Sequence, residues 1–372
     1  MKTIMKILIT LLLLTQLAAC QNKTVPTQTT TANQQATKTM ETIFKWDEGV
    51  NAPEGYPVEV YRGGFENGFT SLSGMGGSDN TWGSPSSGMS SGEKGIPHRI
   101  NCIWVAYAED CMYEIDCEID YNKMLLLFNE GFYSSVRKMG KKMDTYTHIT
   151  AGFAPGGVVV IWLAGAGKQV EVGRYQGKKT TVSQAEINSL DSHERLLFDP
   201  VDRKRTMENP KITPPEVQEA NKNKPIPFGL WDTYREKYSW RPTFIIQREG
   251  KMSDQFRFEM INGEVETLIY EIFEENKFEK RAIPKRFVFG YWDKDGQGYG
   301  GEIDFDEKEI FEAFATIYKD GKEGDTEIEL KANMINTYLA IKLKGNGKEV
   351  AILKAKIEVY ESRAVTRRYK KQ

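Results

Sequence analysis

Asp293-Lys294-Asp295-Gly296-Gln297-Gly298 places oxygen-bearing side chains at alternating positions with a glycine at the sixth, and Asp304 stands at the twelfth. That spacing is how a calcium loop turns carboxylate and carbonyl oxygens onto one cation. Three positions depart from the pattern: Gln297 replaces an acidic or Asn ligand, Gly300 stands where a β-branched residue usually pairs, and Asp304 replaces a bidentate Glu. An aromatic strand, not a helix, leads into it. Two readings stay open: calcium held by Asp293, Asp295, Gln297 and Asp304, or a glycine-rich hairpin turn.

A second candidate is nucleophilic. Gly88-Met89-Ser90-Ser91-Gly92 spells Gly-x-Ser-x-Gly, which in hydrolases lifts a serine onto an elbow between a strand and a helix. Here no apolar strand precedes it and no helix-periodic segment follows, so residues 63–95, rich in Gly and Ser, read as a loop. Gly165-Ala166-Gly167-Lys168 lacks the Ser or Thr that would hold magnesium in a phosphate loop, since Gln169 follows the lysine. His98, His148 and His193 are far apart, which leaves little material for acid–base work or a histidine metal site. The chain therefore reads as a binder, not an enzyme, with no cofactor beyond the calcium option.

Aromatic residues supply the candidate binding groups. Trp82, inside the Gly/Ser loop, reads as an exposed anchor for a partner or as a pin that fixes the loop to the core. Trp231, Tyr234, Tyr238 and Trp240 interleave with Arg235, Lys237 and Arg241. Such a cluster stacks on a sugar, grips an acidic partner, or packs a segment joining two domains. Glu114, Asp116, Glu118 and Asp120 alternate with Tyr113, Ile115, Cys117 and Ile119, giving a strand with one acidic face that is either solvated or a docking surface for a basic partner or a cation.

These residues need a core to hold them, and residues 151–167 read as its centre. Pro155-Gly156-Gly157 suits a tight turn, and Val158 to Leu163 follow without a polar residue, as in a strand buried on both faces. The order of elements predicts a mainly β, α+β fold of antiparallel sheets with a few short helices. Residues 44–202 form an N-terminal β-rich domain, 203–227 a proline-rich linker, 228–362 a second β-rich domain, and 363–372 a basic tail. Asp306 caps a helix to about residue 319, and Gly345-Asn346-Gly347 marks a hairpin. The formal charge of −2, or −4 once Lys2 and Lys6 leave with the N-terminal segment, argues against a nucleic-acid partner.

At the N-terminus Lys2 and Lys6 form a short positive region ahead of an apolar run, Ile7 to Leu14, that leads to Leu17-Ala18-Ala19-Cys20. This order resembles the bacterial lipoprotein signal, the lipobox. The resemblance implies that residues 1–20 carry the signal and that Cys20 is acylated with palmitate-type chains; residues 21–43, mostly Thr, Gln, Asn and Ala with almost nothing apolar, read as a flexible tether. The apolar run is shorter than the ~20 residues of a spanning helix. Gln21 is not the aspartate that retains such proteins in the inner membrane, and Asn22, Lys23 and Thr24 contain no acidic export cluster, so the outer membrane with a periplasmic body is expected. Membrane contact is then through acyl chains alone. With Cys20 lipidated, Cys102, Cys111 and Cys117 allow at most one disulfide; Cys102 with Cys111 across a hairpin is one expectation and three buried thiols the other.

Tyr56-Pro57-Val58, Ile96-Pro97, the paired strands around 107–113, Ala154-Pro155-Gly156-Gly157-Val158-Val159-Val160-Ile161-Trp162-Leu163, Tyr234-Arg235 and Tyr238-Ser239-Trp240 together resemble the bacterial lipoprotein family called domain of unknown function 2931. The resemblance spans about residues 46–241. It implies binding and defines no catalytic residues: some members act as periplasmic immunity partners of secreted phospholipase toxins. The expected function is binding of a protein such as a secreted toxin, with envelope glycan binding as the alternative and a hydrolase behind both. Trp82, Trp231, Tyr234 and Trp240 are the expected contact residues.

Overall fold

Val158–Gly165 alternates between two cores although every residue from Val158 to Leu163 is apolar. Val159, Ile161 and Leu163 enter one cluster with Trp46, Trp104 and Phe153, while Val158, Val160 and Trp162 enter the other with Trp240, Phe256 and Phe287. A strand with an apolar core on each face has no position for a polar residue, which accounts for the unbroken run.

The computed structural model describes residues 40–66, 70–78, 81–84, 88, 90–136, 140–247, 250–269, 276–321 and 323–369. Cys20, the signal segment, residues 21–39 of the expected tether and residues 370–372 of the tail lie outside them. Met40–Gln372 forms one compact unit. The fold is mainly β, as the alternation and turn residues imply.

One sheet of ten strands runs Lys356–Glu361, Gly298–Asp304, Pro284–Trp292, Lys251–Met260, Val265–Ile269, Lys168–Gln176, Val158–Gly165, His148–Ala154, Ile43–Asn51 and Ser91–Gly95. Its neighbours are antiparallel except Ile43–Asn51, which lies parallel to His148–Ala154 with Asp47 opposite His148 and Asn51 opposite Gly152. The two strand-rich parts therefore share a sheet, joined where Gln169 pairs with Val265. A second sheet places Lys178–Thr180, Cys111–Glu118, Arg99–Ala106 and Val58–Glu66 side by side, and a third orders Glu279–Ala282, Lys237–Ile245, Asp325–Ala332, Leu339–Gly345 and Lys348–Ile352.

Residues 203–227, expected as a linker, hold most of the helix Pro200–Glu208 and all of Pro215–Asn221. The prolines do not break these helices because each begins on a proline, where the missing N–H has no intrahelical partner in any case. Asp199 caps the first through its side chain. The helix Glu307–Ile317 starts on Asp306, whose carboxylate accepts Glu309 N–H at 2.8 Å, and buries Ile310, Phe314 and Ile317.

Candidate functional site

A cavity of about 570 Å³ is walled by Tyr56, Trp82, Trp231 and Tyr234 together with Pro53, Pro225 and Pro227. Glu54, Lys224, Lys285 and Glu307 add charge to the lining, Lys224 and Glu307 from exposed positions. The short helix Leu230–Thr233 aims two of the rings. Gly229, at φ +82°, turns the chain into it, and Trp231 and Tyr234 follow within one turn. Trp231 meets Tyr56 edge to face at 5.3 Å. The Tyr234 hydroxyl donates to Glu307 at 2.6 Å, and burial followed by that carboxylate raises the phenol above its ordinary value.

Three of the four expected contact residues thus line one cavity, but they do so as buried walls. Trp82 is not an exposed anchor. Its ring packs edge to face on Trp162 at 4.9 Å, and its loop is tied down by Asn51, which donates to Thr81 and Ser84 carbonyls and accepts Gly83 N–H at 2.8 Å. Trp240 is absent from the cavity: it is fully buried, donates Nε1–H to the Ala282 carbonyl at 3.0 Å, and lies under Arg281. The strand Lys237–Ile245 alternates, and position 240 faces the core.

The basic residues of the cluster are consumed internally. Arg235 binds Glu171, Lys237 reaches Glu264 at 2.6 Å, and Arg241 pairs with Glu327. No cation of this group is left to grip an acidic partner. Counting aromatics alone would have found the cavity; only pairing information shows where the charges go. Pro53, Tyr56, Pro225 and Pro227, which sequence reasoning did not single out as site residues, signal themselves only as turn and strand punctuation.

The calcium-like residues are not brought together. Asp293 Oδ1 accepts Asp295 and Gln297 N–H at 3.0 and 2.9 Å, closing a hairpin turn, and Gln297 donates to Gly298 and Thr366. Asp304 sits at the far end of the strand Gly298–Asp304, opposite Arg286, a full strand length from Asp293. Among the described residues no group of three or more His, Cys, Asp or Glu is placed to share a cation. The segment forms a hairpin turn, and strand pairing carries Asp304 away from the other three residues.

The pairing expected between Cys102 and Cys111 is also absent: Cys102, Cys111 and Cys117 are free. Cys111 opposes Ala106 and Cys102 opposes Ile115, so the two sulfurs stand four residues apart along the ladder, beyond disulfide reach. Burial pushes the Cys102 thiol well above its ordinary value. On the same ladder the acidic face is largely partnered, Asp116 with Arg99 at 2.6 Å and Glu114 with Lys178 at 3.0 Å, while Asp120 caps the helix Tyr121–Glu130.

Ser90 precedes the strand Ser91–Gly95 and sits on no elbow. Its N–H and hydroxyl both donate to Glu48, 1% exposed, which also takes Lys94 at 2.7 Å. Lys94 Nζ stands 3.1 Å from Ser90 Oγ and 4.1 Å from the Trp46 ring centroid. Burial raises the Glu48 carboxyl, but the hydrogen bonds from Lys94, its own backbone and Ser90 outweigh this and leave it below the usual range. The arrangement clamps the Gly/Ser loop to the strand Ile43–Asn51.

The model of the family described as a protein of unknown function, DUF2931, matches residues 27–229. The chain belongs to that family. The DUF2931 match ends at Gly229, so the Tyr234-to-Trp240 segment, counted above with the resemblance, lies beyond it. The cavity straddles that limit, with Pro53, Tyr56, Trp82 and Lys224 inside the DUF2931 region and Trp231, Tyr234 and Glu307 outside. No curated protein and no solved structure matches the chain.

Proposed function

We propose that this protein acts by binding, as a lipid-anchored envelope protein of the immunity type that occludes a secreted toxin by taking one of its segments into the aromatic cavity. The observation that carries this reading is the convergence of Tyr56, Trp82, Trp231 and Tyr234 with four prolines, Pro53, Pro225, Pro227 and Pro284, on one space of about 570 Å³. That volume admits a few apolar side chains, and rigid aromatic walls with a charged rim are where protein interfaces concentrate their affinity. The Cys20 acyl chains would hold the body in the periplasm at the outer membrane. An envelope glycan is the second reading, and the ring orientations weigh against it. A stacked sugar needs an open ring face, whereas Trp82 and Trp231 are 6% and 2% exposed.

The test is a pull-down with the chain from Gln21 onward, which retains all of Met40–Gln372, against the cell envelope and the secreted fraction. A stoichiometric secreted enzyme, inhibited on capture and released by the rim substitution Lys224→Glu, is expected. Capture of glycan, or a captured protein indifferent to Lys224, overturns the reading.

A further inference from the structure

The loop between the strands Asp325–Ala332 and Leu339–Gly345 carries Met334 and Ile335 at its tip, 50% and 71% exposed. Apolar tips usually fold back onto the protein; this one is held out. Asn333 N–H donates to the Tyr338 carbonyl at 3.0 Å and Asn336 N–H to the Asn333 carbonyl at 3.2 Å. Asn333 Oδ1 accepts Thr337 and Tyr338 N–H at 2.9 and 3.3 Å, and Asn336 takes φ +53° to close the turn. The loop thus satisfies these backbone groups itself, which is the condition for pushing a loop out of water.

What surrounds the tip is basic and amphipathic. Tyr338, half-exposed, stands at its base, and Lys331 is exposed on the adjoining strand. Asn336 stands near Tyr299, whose hydroxyl donates to Asp293 at 3.4 Å, and the neighbouring Gly298 N–H donates to Thr366 Oγ1 at 2.9 Å, which places the helix Arg363–Tyr369 on the same side as the tip, with Arg363 and Arg367 exposed. From Arg363 to the C-terminus the sequence holds five basic residues and no acidic one. The carboxylates at this end are Asp293, which bonds Tyr299 and caps its own turn, and the exposed Asp295 and Glu361.

We propose that this end of the molecule is a peripheral contact for an anionic lipid surface, with Met334 and Ile335 entering the headgroup boundary, Tyr338 at the interface, and Arg363 and Arg367 meeting lipid phosphates. It is separate from the aromatic cavity and independent of Cys20, and it sets how the body lies on a membrane. An apolar tip beside exposed arginines matches the layered chemistry of a bilayer face, which favours lipid over a protein partner.

The experiment is co-sedimentation of the chain from Gln21 onward, without acyl chains, with vesicles of phosphatidylethanolamine containing about one-third phosphatidylglycerol, and with phosphatidylcholine vesicles. Expected are binding to the anionic vesicles that weakens with salt, a loss of about tenfold for Met334→Ser with Ile335→Ser, and a similar loss for Arg363→Glu with Arg367→Glu. All four side chains are exposed, and near-UV circular dichroism checks that the variants fold. Failure to bind either vesicle, binding indifferent to both pairs, or capture of a soluble envelope protein through these residues with no vesicle binding overturns the proposal.

Discussion

The carboxylate of Asp232 receives both Nε–H and Nη2–H of Arg174, at 2.9 and 3.0 Å. This fork ties the helix Leu230–Thr233 to the strand Lys168–Gln176 and so fixes where Trp231 stands. With Asp232 41% exposed, the pair contributes about 1 kcal/mol at most to stability. Asp232→Ala should therefore shift the urea midpoint little, yet weaken partner capture severalfold by loosening a cavity wall. Equal capture by both forms would show that the cavity is not the gripping site.

Arg281, 4% exposed, binds Glu266 at 2.9 and 3.0 Å and the Trp240 carbonyl at 2.7 Å while lying over the rings of Trp240 and Phe258. Arg281→Met fills similar space and strands a largely buried carboxylate. Removing one partner of such a pair costs about 3–5 kcal/mol. Chemical denaturation measures it, and a double change with Glu266→Gln should recover much of the loss.

Acid should destabilise the fold through the same residues. Burial raises the Glu266 carboxyl, but Arg281, Lys168 and Lys237 more than reverse this and hold it below its ordinary value, as the clamp does for Glu48. A carboxyl whose folded value is depressed lends its full stability above the unfolded value of about 4.3 and loses it as the pH falls through the folded one. The melting temperature should be nearly flat from neutral pH down to about 5 and drop below about 4. In Glu266→Gln the acid limb should be shallower.

Gly157 has φ +75°, and a Cβ there would lie 2.7 Å from the Tyr113 ring. Gly157→Ala meets both a left-handed backbone and a stacked core, since Tyr113 packs on Trp104 at 5.5 Å. A loss of about 2 kcal/mol or more is expected in thermal or urea unfolding.

Thiol labelling checks the cysteines. In the chain from Gln21 onward, Cys111 and Cys117 should react in the native state, whereas Cys102, 1% exposed and raised by burial, should react only on unfolding. Three reactive thiols in denaturant are expected with or without reductant; a count that rises on reduction would reveal a disulfide.

Much of the fold is written in local signals. The turn at Gly156 and Gly157, the cap at Asp306, the hairpin at Asn346 and the alternation from Tyr113 onward all appear as the residue types require, because each depends on neighbours a few positions away. The doubly buried strand Val158–Gly165 was legible from its unbroken apolar run. What was not legible is pairing across long separations. Gln169 meeting Val265 turns two strand-rich parts into one sheet, and no pattern in either segment names the other. The candidate site divides the same way. Aromatic type and spacing pointed to Trp82, Trp231 and Tyr234, but Trp240 falls on the inward face of its strand, and Arg235, Lys237 and Arg241 find carboxylates from distant elements. The calcium-like spacing did not predict where its residues lie, because it counts positions along the chain, whereas an extended strand carries Asp304 away from Asp293.

Ile43–Asn51 is the first strand of the described body, and it lies inside the ten-stranded sheet, flanked by His148–Ala154 and Ser91–Gly95. Any pull delivered through the N-terminal segment therefore runs along the axis of that strand. Its ladder bonds to both neighbours are perpendicular to the load and must fail together, not one after another as in an unzipping hairpin. On the proposed Cys20 anchor, tension would enter the body on this strand and be carried in shear toward Asn51, whose side chain fastens the Trp82 loop that walls the aromatic cavity.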